Sequence, residues 1–134
     1  MNRRTFERLV VRAVDGIPKE FLGRVVNLSF QIEGWADAET LAEVDLNDPR
    51  DLLGYYRGWA LPERTHEYGN CLPDVIVIYQ RAVENHVAES GEPLLRVIRE
   101  TVIHELAHYF GFSEEEMEVI EDLWSAAENK GPSS

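Results

Sequence analysis

Apolar positions in the first seventeen residues fall three and four apart: Phe6, Leu9, Val10, Ala13, Val14 and Ile17. That spacing predicts an amphipathic helix, and the polar residues between them break up the apolar core a signal peptide would need. Gly16 and Pro18 interrupt the pattern, with "KEFLG" suited to one short further turn. The period then changes. In "VNLSFQIE", Val26, Leu28, Phe30 and Ile32 alternate with Asn27, Ser29, Gln31 and Glu33, which predicts a strand with one buried face. Residues 34–51 are acidic, follow neither period and read as a loop. "LLGYYRGWAL" (52–61), aromatic and broken by glycines, reads as a twisted strand or hairpin arm, and a second polar loop (62–73) closes at Pro73.

"DVIVIYQ" holds five consecutive β-formers, Val75 to Tyr79. Such a run fits a strand buried on both faces, or one covered on one side and used for binding on the other. "RAVENHVAES" predicts a helix ending near Gly91, and Pro93 suits the first turn of a longer helix spanning 93–110. Ser113 and Glu116 form an S-x-x-E capping box that opens a last helix over 114–127, with Met117, Ile120, Leu123, Trp124 and Ala127 as its buried stripe. A helix, two or three strands and then helices predict one compact α+β domain over residues 1–128, followed by a disordered tail at 129–134.

Composition narrows the functional classes. A hydrophobic content of 44% and a charged content of 28% are globular values. The net charge of −12, from 25 acidic and 13 basic residues, repels phosphate backbones and anionic lipid, so neither nucleic acid nor a membrane surface is an expected partner. Solubility is the plainest role for the acids, and an attraction for basic peptides is the other. The lone Cys71 cannot form an internal disulfide, which points to a reducing, cytoplasmic compartment. No apolar run approaches the roughly 20 residues that span a bilayer. The oligomeric state stays open, and a monomer is consistent with the chain.

The chemistry is concentrated in "VIHELAHYFGFSEEEMEVIE", where His104, Glu105 and His108 spell H-E-x-x-H. With four His and 18 Glu in the chain, that string arises by chance in roughly one or two such sequences per hundred, so its setting has to carry the argument. Four residues turn a helix by about 400°, so the two histidines share a face one turn apart. Two imidazoles so placed can occupy adjacent corners of a zinc tetrahedron at about 2.0–2.1 Å. Glu105 lies about 100° further round: badly placed for a third ligand, well placed to meet a water on the metal as a general base. The opposing reading is a pair of core histidines. His104 and His108 continue the line of Val97 and Thr101 and are expected to face inward, while Ile98, Val102, Leu106 and Tyr109 pack another side. Buried imidazoles and a carboxylate are costly without partners, so burial itself favours a metal. Gly111 can take the left-handed conformation that stops the helix and turns the chain. Glu114 then falls where the longer pattern H-E-x-x-H-x-x-G-x-x-H sets its third ligand, and a carboxylate binds zinc at about 2.0–2.2 Å. Its other role would be a favourable charge in the first turn of the last helix. Glu115, Glu118 and Glu128 are rival ligands.

The stretches "LLGYYRG", "LPDVIVIYQRAVE" and "TVIHELAHYFGFSEEEME", with the N-terminal helix and "IPKEFLGRVVNLSF" in place, resemble the small bacterial zincin-like metallopeptidase family. The likeness covers nearly the whole chain apart from 34–51 and the tail. It implies a small mixed sheet packed on the histidine-bearing helix, one Zn2+ per chain held by His104, His108 and Glu114, and Glu105 as the catalytic residue. Three protein ligands leave a fourth corner for water. The resemblance thus implies hydrolysis of a peptide or protein substrate by a zinc-bound water that Glu105 activates, the proton passing on to the leaving amine. In zincins generally an extended substrate pairs with an exposed strand beside the metal, and "VIVIY" or "GYYRG" is the candidate here. Tyr55, Tyr56, Tyr68 and Tyr109 are conceivable oxyanion donors, with packing as the plainer role. Met117 could lie beneath the metal, although its helix stripe favours core packing. His66 and His86 read as solvated, and Arg57 and Arg64 could hold a substrate carboxylate or carbonyl. Two alternatives stand beside the enzyme: a metal- or peptide-binding module with little or no turnover, and a structural domain whose histidines bind nothing.

Overall fold

The computed structural model describes residues 1–58 and 74–129, without the side chains of 124–129. Its elements run α1 (Arg3–Asp15), α2 (Lys19–Leu22), β1 (Leu28–Glu33), α3 (Ala38–Glu43), a 3-10 turn (Pro49–Asp51), β2 (Gly54–Arg57), β3 (Asp74–Tyr79), α4 (Gln80–Ser90), α5 (Leu94–Phe110) and α6 (Glu114–Asn129). The strands form one mixed sheet in the order β1-β3-β2. β3 lies parallel to β1, from Leu28 opposite Asp74 to Glu33 opposite Tyr79, and antiparallel to β2, from Gly54 opposite Ile78 to Arg57 opposite Val75. The architecture is α+β.

The central position of β3 accounts for its unbroken apolar run, because both of its faces are covered. Ile76 and Ile78 enter the larger core with Phe6, Val10 and Ala13 of α1 and Ile98, Val102 and Leu106 of α5. Val77 and Tyr79 enter a smaller one with Ala36, Leu41 and Ala82. Neighbours on both edges leave β3 no place for an added strand. Of the two candidate docking strands, only β2 is an edge among the described residues.

Three expectations need correction. Residues 34–51 are not all loop: Asp37 caps α3 by accepting the Thr40 N–H at 2.8 Å, and Thr40 and Leu41 are buried. Six residues are under two turns, too few for a helical period to show. Val26 is 59% exposed, because Asn27 takes a positive φ of 54° and bends the chain before β1. The inward alternation starts at Leu28 and continues through Phe30 and Ile32. Leu123 is likewise 59% exposed, whereas Met117 is buried and Ile120 packs on the core. At about 100° per residue each three-residue step falls about 60° short of a full turn, so the line from Met117 through Ile120 has drifted off the face by Leu123. The 62–73 loop, residues 130–134 and the side chains of Trp124 and Ala127 lie outside the described residues.

α5 is fixed at both ends of the site. Near its C-terminus the buried Tyr109 hydroxyl accepts the Val26 N–H at 2.9 Å and donates to the Val26 carbonyl at 3.0 Å. The Tyr109 ring meets that of Tyr56 edge-on at 5.9 Å, and the Tyr56 hydroxyl donates to Asp74 at 3.1 Å. One turn earlier, α5 presses on β2 at Gly54. A Cβ there would stand 2.7 Å from Thr101 Cγ2 and 3.1 Å from Glu105 Cγ, so the helix approaches at a distance that glycine alone permits. Gly54→Ala is expected to lower stability by about 1–3 kcal/mol in urea unfolding, the usual effect of overpacking a tight contact.

Candidate metal centre

The helical period of α5 sends Glu105 against β2 and sets the two histidines on the adjoining line, where they border a hollow with Gly54, Tyr55 and Tyr56 and open to solvent. Glu105 is 8% exposed, while His104 and His108 both reach solvent. This corrects the expectation that the histidines face inward. Val97 and Thr101, earlier on the same line, are indeed buried, with Gly54 of β2 against Thr101; the helix has emerged by His104. Burial therefore falls on the carboxylate.

The Nε2 atoms of His104 and His108 stand 3.2 Å apart, their ring planes 80° to one another. With bonds of 2.0–2.1 Å, two corners of a tetrahedral zinc are separated by about 3.3–3.4 Å, so the pair already has the required spacing. Two imidazole nitrogens this close need a proton or a cation between them. Desolvation, and then the neighbouring His104, hold His108 below the usual histidine range, which keeps it in the neutral form that ligates. One ligand-type atom from each of His104, Glu105 and His108 can be chosen so that all lie within 4.8 Å of one another. This donor set fits a zinc ion.

The chain then folds back across the histidines. Gly111, at φ 74°, ends α5; its N–H bonds to the His108 carbonyl at 3.0 Å and that of Phe112 to the Ala107 carbonyl at 3.1 Å. These are the paired bonds of a left-handed helix stop. Ser113 Oγ accepts the Glu116 N–H at 3.2 Å, and Glu116 Oε1 accepts the Ser113 N–H at 3.0 Å, completing the expected capping box. The result sets a face of α6 beside the rings. Glu114, Met117, Glu118 and Glu121 line a hollow of about 350 Å³ with His104 and His108. Glu114 thus borders the site without belonging to its tight group of donors, and Glu118 does the same. Glu115 does not line the hollow, and the Glu128 side chain lies outside the described residues. Met117 is both buried, at 7% exposure, and part of the hollow's wall. Glu121, which does not stand out in the sequence, is the acid in contact: its Oε1 is 3.4 Å from His104 Nδ1. Its signal was the spacing of Glu114, Glu118 and Glu121, steps of four and three that share a helix face.

Burial pushes the Glu105 carboxyl up to about 7, opposed by the nearby His104 and by a hydrogen bond from the Tyr56 N–H. Strand register explains that bond. The Tyr79 N–H bonds to the Leu53 carbonyl at 2.9 Å, so in the antiparallel ladder Gly54 and Tyr56 direct their backbone groups away from β3. A second hollow, of about 400 Å³, opens beside Gly54, Thr101, His104, Glu105 and Glu121 and includes His86. His86 pairs with Glu92 at 2.7 Å rather than standing merely solvated. The candidate oxyanion tyrosines are engaged elsewhere: Tyr55 donates to Glu43, which pushes its phenol up to about 12, Tyr56 to Asp74 and Tyr109 to Val26. The Arg57 guanidinium sits 5.8 Å over the Tyr55 ring. Arg64, His66, Tyr68 and Cys71 lie outside the described residues.

A small mixed sheet with an H-E-x-x-H helix against its edge strand, the histidines spaced for one cation and the glutamate tucked beneath, defines a metallopeptidase-like domain. A family model for zincin-like metallopeptidases matches residues 25–124, and the chain belongs to that family. A search of curated proteins finds no match. Among the described residues no helix is long and apolar enough to cross a membrane.

Because Glu105 is raised from 4.5 to about 7, the folded metal-free protein keeps that proton to higher pH than the unfolded chain does. The resulting stabilisation is complete below the unfolded value and is lost as pH rises through about 7. Denaturant unfolding of the metal-free protein should show wild type losing stability relative to Glu105→Gln between pH 5 and pH 8, by the same sign at every step. A difference that does not change with pH would mean that Glu105 is not desolvated.

Proposed function

We propose that the protein is a zinc-dependent peptidase that hydrolyses peptide bonds in a peptide or protein substrate. The observation that carries this reading is the 3.2 Å separation of the two Nε2 atoms directly beside a buried glutamate. His104 and His108 would hold the ion, with Glu114 on the neighbouring wall as the third ligand. Bound zinc supplies a Lewis acid that polarises a carbonyl and lowers the pKa of water to about 7. Glu105 accepts the proton of the attacking water at its carboxylate and returns it to the leaving amine. A carboxyl poised near neutrality suits both transfers, since a general base works best when its pKa lies near the working pH. The outward-facing backbone of Gly54 in β2, beside Glu105, is where an extended peptide would pair as an added strand. The net charge of −12 weighs against nucleic acid and anionic lipid as partners, and the single cysteine favours a cytoplasmic setting.

A second reading, a metal- or peptide-binding module with little turnover, has one observation behind it. The hydroxyls of Tyr55, Tyr56 and Tyr109 are all engaged away from the histidines, so none stands ready to stabilise an oxyanion.

Metal analysis should find about one zinc per chain, lost in His104→Ala and in His108→Ala. Glu105→Gln should keep the zinc and lose peptide cleavage by about a hundredfold or more, the usual contribution of a general base. Wild type that holds zinc yet cleaves nothing in a broad fluorogenic peptide library would favour the binding module.

A further inference from the structure

The two nitrogens of His104 face different neighbours. Nε2 points at His108 Nε2, 3.2 Å away, and Nδ1 points at Glu121 Oε1, 3.4 Å away. A neutral imidazole carries one N–H and one lone pair, and whichever nitrogen meets an acceptor keeps the proton. A carboxylate oxygen can only accept. With Glu121 on Nδ1, the proton belongs there, and the lone pair is left on Nε2, facing the gap between the rings.

We propose that Glu121 is the positioning carboxylate of this centre: it fixes the Nδ1–H tautomer and the ring angle of His104, and so aims Nε2 at the zinc. The inference rests on the zinc reading above and assigns a role to a residue outside the ligand set. Glu121 touches the wrong nitrogen to be a ligand through the same gap, which separates it from Glu114. Its placement comes from backbone devices, the left-handed stop at Gly111 and the Ser113–Glu116 cap, which set the last helix across the histidine turn. Both side chains are partly exposed, His104 by 51% and Glu121 by 41%, so as an ion pair the contact adds little stability. Orientation is what it supplies. Outer-shell partners of metal-binding histidines act in this way, and their loss typically weakens metal affinity about 10–100-fold.

The test is zinc affinity by chelator competition, with no peptide present, together with ¹⁵N NMR of the zinc-loaded protein. Glu121→Ala should bind zinc about 10–100-fold more weakly than wild type. Glu121→Gln, whose amide oxygen still accepts from Nδ1–H, should recover most of that loss. Asp122→Ala, which removes the same charge from the next, exposed position, should leave affinity unchanged. The NMR spectrum of wild type should show His104 bonded to hydrogen at Nδ1, with that proton protected from exchange in wild type and Glu121→Gln and unprotected in Glu121→Ala. Wild-type affinity in Glu121→Ala, or an Nε2–H tautomer at His104 in wild type, overturns the proposal. So does a loss in Glu121→Ala as complete as in His104→Ala, which would make Glu121 a ligand. These outcomes leave the zinc reading standing. A wild-type chain that takes up no zinc removes the centre itself, and the role of Glu121 with it.

Discussion

The site depends on a close approach between the helix Leu94–Phe110 and the strand Gly54–Arg57, made where Gly54 has no side chain. That contact brings Thr101 and Glu105 against the strand and closes water away from the carboxylate. It also decides what the rest of the helix does. With Glu105 turned toward the strand, His104 lies about 100° back and His108 one turn beyond His104, on the line of the helix that reaches solvent. His104 and His108 therefore emerge at the surface with their nitrogens converging. Strand register adds the last element, since the alternation of the ladder that pairs Leu53 with Tyr79 aims the Tyr56 N–H at Glu105. The buried glutamate and the two exposed histidines follow from one packing contact.

Burial then acts in opposite senses on the two kinds of residue. Desolvation raises the Glu105 carboxyl to about 7 and lowers His108, so both are driven toward their neutral forms. A neutral imidazole is the form that binds metal, and a carboxyl near neutrality can take up and release a proton without a large penalty either way. Three acids, Glu114, Glu118 and Glu121, stand on the wall facing the histidines. A cation held between the histidines would be attracted by those acids.

Much of the fold could be read from the sequence because the decisive segments are long and regular. The first helix shows its apolar face from Phe6 to Ile17, the central strand its continuous run from Val75 to Tyr79, and the last two helices announce their ends at Pro93, Gly111 and Ser113. Short or bent segments escaped. The helix Ala38–Glu43 has too few residues to display a period, and a positive φ at Asn27 cut off Val26 from an alternation that otherwise held. Of the site, the spacing of His104, Glu105 and His108 was plain and Glu105 is buried as expected, but the two histidines, expected to face inward, are exposed. Helical periodicity tells which residues share a face. It cannot tell what covers that face, and here the cover is set by Gly54, far earlier in the chain.

The same distinction separates the two halves of the proposed chemistry. The residues proposed to hold and orient the ion, His104 and His108 with the acids Glu114 and Glu121, lie in one helix–turn–helix of consecutive sequence, and their geometry follows from a helical repeat and two capping motifs. The environment of Glu105 is assembled from distant parts: a glycine and an amide of the edge strand, with Tyr56, Tyr109 and Asp74 bracing the helix beneath. A chain could keep the first half intact while losing the second, and it would then bind metal without a desolvated base. In the proposed chemistry metal affinity and proton transfer are for this reason separable, and the contact at Gly54 is where they would be joined.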